Sequence, residues 1–196
     1  MVNQRLIEIV GGIGSGKTTL ANRLSVPRVS VVFEDHKLNP FWRAFYETPE
    51  AHAFETELTF LLQHYHFAKR SLESDALVVL DHSLELDLAY ALVGLPEKRR
   101  EIFRLVYQEV RAELGYPCWL IWLRCSPGEQ MRRIRFRGRP EEESLSIKFL
   151  ASLNRSLEHS LASGSRASEL VVIDSEMTDL RRDGDWLLQL RKRIGA

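Results

Sequence analysis

The stretch "GGIGSGKTT" at residues 11–19 fits G-x-x-x-x-G-K-[ST], with Gly11, Gly16, Lys17 and Thr18 at the fixed positions. Glycines there let consecutive backbone N–H groups converge on phosphate oxygens, which a Cβ would obstruct. Gly12, Ile13, Gly14, Ser15 and Thr19 complete the expected phosphate cradle. An apolar run precedes it and a helical pattern follows, so the loop opens a helix whose N-terminus adds about half a positive charge. Lys17 is expected to reach the β- and γ-phosphates, and the Thr18 hydroxyl to ligate Mg²⁺. These residues predict binding of ATP or another nucleoside triphosphate with Mg²⁺.

A second concentration of chemistry lies at "MRRIRFRGRPEEE", residues 131–143. Arg133 and Arg137 fall four apart on one helical face, and Arg139 adjoins Gly138. Phosphoryl transfer needs positive charge around the moving group and exclusion of water, which arginines on a closing segment supply. The segment reads as a lid or as a solvated basic helix paired with its own glutamates; the phosphate loop favours the lid. Two acids end strand-like runs. Asp81 closes "ALVVLD" and suits the second Mg²⁺ carboxylate. Glu34 follows "VSVVF" and suits a general base, with Asp35 as its neighbouring competitor.

The elements that must hold these groups are legible in outline. Apolar runs at 6–10, 29–33, 76–80, 118–123 and 169–174 read as strands, and their near-continuous hydrophobicity suggests burial on both faces. Helical patterns lie between them at 17–25, about 40–73, about 84–114 and about 127–162, the last with a break at Gly138–Pro140. A polar loop at 176–185 precedes a final amphipathic helix. Strand–helix alternation of this kind predicts an α/β fold, a doubly wound, five-stranded parallel sheet of the P-loop NTPase type in a single domain. A switch GTPase would need D-x-x-G after the third strand and N-K-x-D for guanine; neither is present.

Bulk properties set limits. The 196 residues carry 27 basic and 27 acidic side chains, and zero net charge argues against broad nucleic-acid binding. Of the basic residues 21 are Arg, which favours planar, bidentate recognition of anions. Cys118 and Cys125 fit no zinc or thioredoxin spacing and read as free thiols of a reducing compartment. No apolar run approaches the roughly 20 residues of a membrane span, and no leader pattern precedes the first strand. A cytoplasmic protein is expected.

The arginine-rich segment also resembles the lid of the deoxyribonucleoside kinases, R-I-x-x-R-G-R-x-x-E, here Arg133, Ile134, Arg137, Gly138, Arg139 and Glu142. "FED" after the second strand and "NPFWRAFYETPEAHAFETELTFLLQ" resemble that family's acceptor segment, and "VVLDHSLELD" stands where it carries an acidic-Arg-Ser motif. Bacterial deoxyguanosine and deoxyadenosine kinases look most similar. The resemblance implies ATP-dependent phosphorylation of a deoxynucleoside 5′-hydroxyl, with Glu34 as base. It places Glu57 and Asp87 at the nucleobase and Tyr46 with Glu142 at the sugar 3′-hydroxyl. Phe54, Glu57, Leu61 and His64 follow helical spacing on one face, which brings Phe54 to the acceptor as well. His82 stands where most members have Arg, and substitutes for that cation only if protonated. An ionised Glu57 would accept the two donors of guanine, predicting a preference for deoxyguanosine. Two rivals are a nucleoside monophosphate kinase, whose phosphorylated acceptor a carboxylate at Glu34 would repel, and a non-catalytic nucleotide-binding module. A helix-packed homodimer is the family's habit, and no residue pattern here decides it.

Overall fold

The computed structural model describes residues 1–162, 167–182 and 184–196. Five strands, β1 (Val2–Val10), β2 (Val29–Val32), β3 (Leu77–Leu80), β4 (Tyr116–Arg124) and β5 (Glu169–Asp174), form one sheet in the order β2-β3-β1-β4-β5. Every neighbouring pair is parallel. The strand order reverses at β1, so the carboxyl edges of β1 and β3 flank the crevice where open α/β sheets bind ligands.

Period-two alternation along β1 separates the two layers. Ile7 and Ile9 pack with helices α1 (Lys17–Leu24) and α8 (Asp185–Ile194) through Leu20, Leu24, Leu187 and Leu190. Leu6 faces the other side, where α3 (Pro49–Ser71), α4 (Leu84–Gly94) and α5 (Glu97–Leu114) bury Leu61, Leu84 and Phe103. Val10, on that same face, meets α4 and α7 (Ile147–Ala162) at Leu86, Leu153 and Leu157. Two-faced burial holds for β1 and the interior of β3. It fails for β2 and β5, which are the edges; Val172 of β5 is 49% exposed.

The long helical runs expected from periodicity are each divided. The run from 40 to 73 splits at Thr48 into α2 (Trp42–Glu47) and α3. The run from 84 to 114 breaks at Leu95–Pro96, because proline cannot continue a helix but suits the start of one. The third run becomes α6 (Pro127–Arg137), a short 3₁₀ turn at Pro140–Ser144 and α7. Its break is where glycine was expected to place it: Gly138 ends α6 in the left-handed conformation, with φ 67°. The polar loop expected at 176–185 includes Asp183, which lies outside the described residues. Among the described residues no helix is long and apolar enough to cross a membrane.

Candidate active site

The loop between β1 and α1 is built for an anion. Gly16 sits at φ 102° immediately before α1, a conformation that a side chain would strain, and it turns the helix N-terminus towards the loop. Gly12 is required for a different reason: a Cβ there would collide with the side-chain amides of Gln130 and Asn154, which brace the loop from α6 and α7. Lys17 folds back so that Nζ donates to the carbonyls of Gly11 at 2.7 Å and Gly12 at 3.1 Å. Burial lowers its pKa, opposed by Glu34 and Asp81. The Ser15 hydroxyl is buried without a hydrogen-bond partner among the described residues.

Strand ends deliver the acids. Thr18 Oγ1 donates to Asp81 Oδ2 at 2.9 Å, and the Glu34 N–H donates to Asp81 Oδ1 at 2.6 Å. Burial works against ionisation of Asp81, but bonds from His82, Glu34 and Thr18 outweigh it and hold the carboxyl below its ordinary range. The adjacent hydroxyl and carboxylate oxygens suit a hard divalent cation that keeps most of its shell as water and phosphate oxygens, as Mg²⁺ does.

Two concavities meet at Lys17. A cleft of about 760 Å³ is lined by Gly14, Gly16, Lys17, Thr18, Thr19, Arg133 and Arg137, and closed on its far side by residues 175–181. A smaller cavity of about 150 Å³ is lined by Ile13, Glu34, Tyr46, Glu57, Asp81, His82, Asp87, Arg139 and Glu142. Gly14, Lys17, Thr18 and Arg137 line both. Arg133 belongs to the cleft alone, where its guanidinium donates to the Gly14 carbonyl at 3.2 Å and the Ser175 carbonyl at 2.6 Å.

The smaller cavity concentrates buried charge. Glu57 is 6% exposed, and burial raises its pKa well above the ordinary carboxyl value, reinforced by Asp87 and Glu34. Burial and the two neighbouring acids thus disfavour the ionised form on which the expected pairing with guanine rests. His64 Nδ1 and Asp87 Oδ2 lie 2.8 Å apart. Burial opposes the charge on His64, but Asp87 outweighs it and raises the pKa. The His64 and His82 rings stack with centroids 3.9 Å apart. Burial and the neighbouring His64 lower the pKa of His82. Both effects work against a charge on His82 at the position where the resemblance expects an arginine.

One further expectation shifts. Phe54 does not reach the cavity: it packs on the core beneath α3 and α5 and lies against the Arg99 guanidinium, 5.2 Å from the ring centroid. The face of α3 that periodicity treats as one is two adjacent stripes. Phe54 and Leu61 belong to the core stripe, while Thr56, Glu57, Phe60 and His64 line the cavity. The Glu142 carboxylate lines the same cavity as Tyr46, and it is held there by Arg137 at 2.5 and 2.6 Å and by Arg139 at 3.4 Å. Tyr46 lines the same cavity, and burial raises its pKa. Sequence reasoning missed Phe60, Tyr90, Trp42, Phe45 and His36 as lining residues. Phe60 and Tyr90 carried a usable signal, each standing three residues beyond a named acid on the same helix.

Comparison with known proteins bears on the fold and the family. The sequence model of a family described as "Deoxynucleoside kinase" matches residues 7–190. A deoxyguanosine kinase from Bacillus subtilis is 29% identical over 191 residues, covering 91% of this chain and 86% of that protein. A deoxyadenosine kinase from Dictyostelium discoideum is 27% identical over 180 residues, covering 88% and 74% respectively. The structure of a deoxyadenosine kinase from M. mycoides with dCMP and dCDP bound superposes with a TM-score of 0.83 at 20% identity, covering 97% of this chain and 98% of that one, and so shares its fold. With a five-stranded parallel sheet, a phosphate loop at the switch point and a family match over nearly its whole length, the chain belongs to the deoxynucleoside kinases.

Proposed function

We infer that this ATP-dependent deoxynucleoside kinase acts on purine deoxynucleosides, with deoxyguanosine preferred. The observation that carries the assignment of sites is the shared wall: Gly14, Lys17 and Thr18 of the phosphate loop, with Arg137, line both the cleft and the cavity. The cleft then takes ATP and the cavity the acceptor, so that the γ-phosphate lies against the 5′-hydroxyl. Glu34 accepts the hydroxyl proton as the O5′–P bond forms and the bond to the β-phosphate oxygen breaks, releasing ADP. Lys17 and the arginines of the 131–143 segment neutralise the charge on the moving group, which is the main contribution proteins make to phosphoryl transfer. Thr18 and Asp81 would hold Mg²⁺, which supplies charge neutralisation at the β- and γ-phosphates. Tyr46 and Glu142 face the sugar.

The purine reading draws on the relatives, a deoxyguanosine kinase and a deoxyadenosine kinase, and Glu57 bears on the choice between the two purines. A protonated carboxyl offers a donor and an acceptor side by side. In that form it pairs with the N1–H and O6 of guanine, or with N1 and N6 of adenine. As a carboxylate it accepts both N1–H and N2–H of guanine and no longer fits adenine. Guanine is read in either state. A phosphorylated acceptor is disfavoured by the carboxylates Glu34 and Asp87 in the same cavity.

A coupled ADP-release assay against four deoxynucleosides and dGMP tests this reading, and purine deoxynucleosides are expected to be turned over best. Equal or faster turnover of dGMP would overturn the acceptor assignment. In the same assay Glu34→Gln is expected to lower kcat about 10²–10⁴-fold while ATP binding persists; activity within about threefold of the parent would remove Glu34 as the base.

A further inference from the structure

A buried ion cluster lies beneath the acceptor wall and takes no part in the chemistry above. Glu8, in the middle of β1, is fully buried, and Arg111 of α5 is 2% exposed. They form a bidentate pair, Nη1 to Oε1 at 2.6 Å and Nη2 to Oε2 at 2.8 Å. Glu8 Oε2 also accepts the N–H of Leu84 at 3.2 Å. Leu84 is the first residue of α4, and that N–H has no partner within its own helix. One residue on, Glu85 accepts from the Tyr107 hydroxyl at 2.7 Å and from Arg111 at 3.4 Å. The Ser83 hydroxyl accepts from Leu86 N–H at 3.1 Å. The first turn of α4 is therefore held at three successive points, two of them by this cluster.

Stability is a poor explanation for such a pair. Taking two charges out of water costs nearly what their attraction returns, and well-packed apolar residues of similar volume often serve as well. What a bidentate, charge-assisted pair supplies is orientation. The turn it orients carries Asp87 and directly follows Asp81 and His82. We propose that Glu8, Arg111 and Glu85 are positioning residues for acceptor recognition, setting the first turn of α4 so that Asp87 meets His64 and the base. The proposal rests on the assignment of Asp87 to the acceptor site. The donor side is insulated from it: the Glu8 backbone is registered between Leu80 of β3 and Leu120 of β4, so β1 keeps its place when the side chain changes, whereas Leu84 loses its partner.

The test is the double variant Glu8→Leu/Arg111→Met, which removes both charges and leaves neither unpaired. It should fold, keep KM for ATP within about twofold, and raise KM for the preferred deoxynucleoside about tenfold, since small displacements of positioning groups cost up to about 10²-fold. Discrimination between bases should narrow with it. A folded double variant with unchanged nucleoside KM would show that the pair only packs. If the double variant does not fold, Tyr107→Phe and Glu85→Gln replace it; each should raise nucleoside KM about threefold with an unchanged melting temperature, the direction expected for a lost orienting bond, and an unchanged KM in both overturns the proposal. Asp87→Asn, measured alongside, keeps the two readings apart. Unaltered discrimination in that variant, with altered KM in the double variant, removes Asp87 from base reading and leaves the positioning. The opposite pair of results removes the positioning.

Discussion

Replacing Glu57 by Gln isolates the role of a single proton in base choice. The carboxyl is buried among Asp87 and Glu34, which raises its pKa well above the ordinary value near 4.5. In the parent, rising pH ionises Glu57, and the lone pairs of a carboxylate then oppose N1 of adenine. A buried group left unpaired in this way costs about 1–3 kcal/mol, or about 5- to 150-fold in kcat/KM at 1.36 kcal/mol per decade. Guanine escapes the loss because its two donors suit the ionised form. The ratio of kcat/KM for deoxyguanosine over deoxyadenosine should therefore climb with pH in the parent. In Glu57→Gln the amide cannot ionise, so the ratio should be flat with pH and lower at the alkaline end by that factor. Steady-state kinetics on both purines from pH 6 to pH 9 measures this. A flat ratio in the parent, together with an unchanged ranking in the variant, would refute base reading by Glu57. Stability offers an independent check. With a folded pKa above the unfolded one, Glu57 contributes stability that is present below about 4.5 and lost as pH rises through the folded value. Glu57→Gln should accordingly raise the melting temperature more at pH 8 than at pH 5.

Arg137→Ala should lower kcat more than KM for the nucleoside, because its partner is charge that develops at the transition state. It should also cost about 1 kcal/mol of stability, since buried Glu142 keeps only the longer contact to the partly exposed Arg139; a melting-temperature loss with unchanged kcat would leave the arginine a purely structural partner. Asp81→Asn should raise the Mg²⁺ concentration giving half-maximal rate about 10-fold or more, read by titrating the metal at saturating ATP. Gly12→Ala should destabilise the fold by about 1–3 kcal/mol through overpacking against Gln130 and Asn154, measured by thermal melting, and weaken ATP binding with it.

The phosphate loop was readable because its residues are consecutive and their function is local. Glu34 and Asp81 were readable because a strand that runs into the carboxyl edge carries its next residue to the crevice. Strand order is a tertiary property, so nothing in the apolar runs distinguished the edges β2 and β5 from the interior. The division of α3 into a core stripe and a cavity stripe depends on α5 packing at Phe54, which helical spacing does not report. Proline at 96 was a local signal for the break between α4 and α5 and went unused. The raised pKa of Glu57 and the lowered pKa of His82 come first from burial and then from Asp87 and His64, which lie distant in sequence and meet only in the folded cavity.

The crowding of arginines at 131–143 has a consequence for how the enzyme meets ATP. Glu129 holds Arg132 and Arg133, and Glu142 holds Arg137 and Arg139, so four guanidinium groups share two carboxylates and half of their charge is compensated within the segment. The chain as a whole is neutral. With no net charge on the chain, little long-range attraction draws in a polyanion, and association should proceed near the unsteered rate of about 10⁵–10⁶ M⁻¹s⁻¹. Added salt should slow capture of ATP only slightly, in contrast to enzymes whose cationic clefts stand open. The compensated half of the arginine charge becomes available to the phosphates only as the arginines exchange partners, so that part of the attraction is released after contact and not before it.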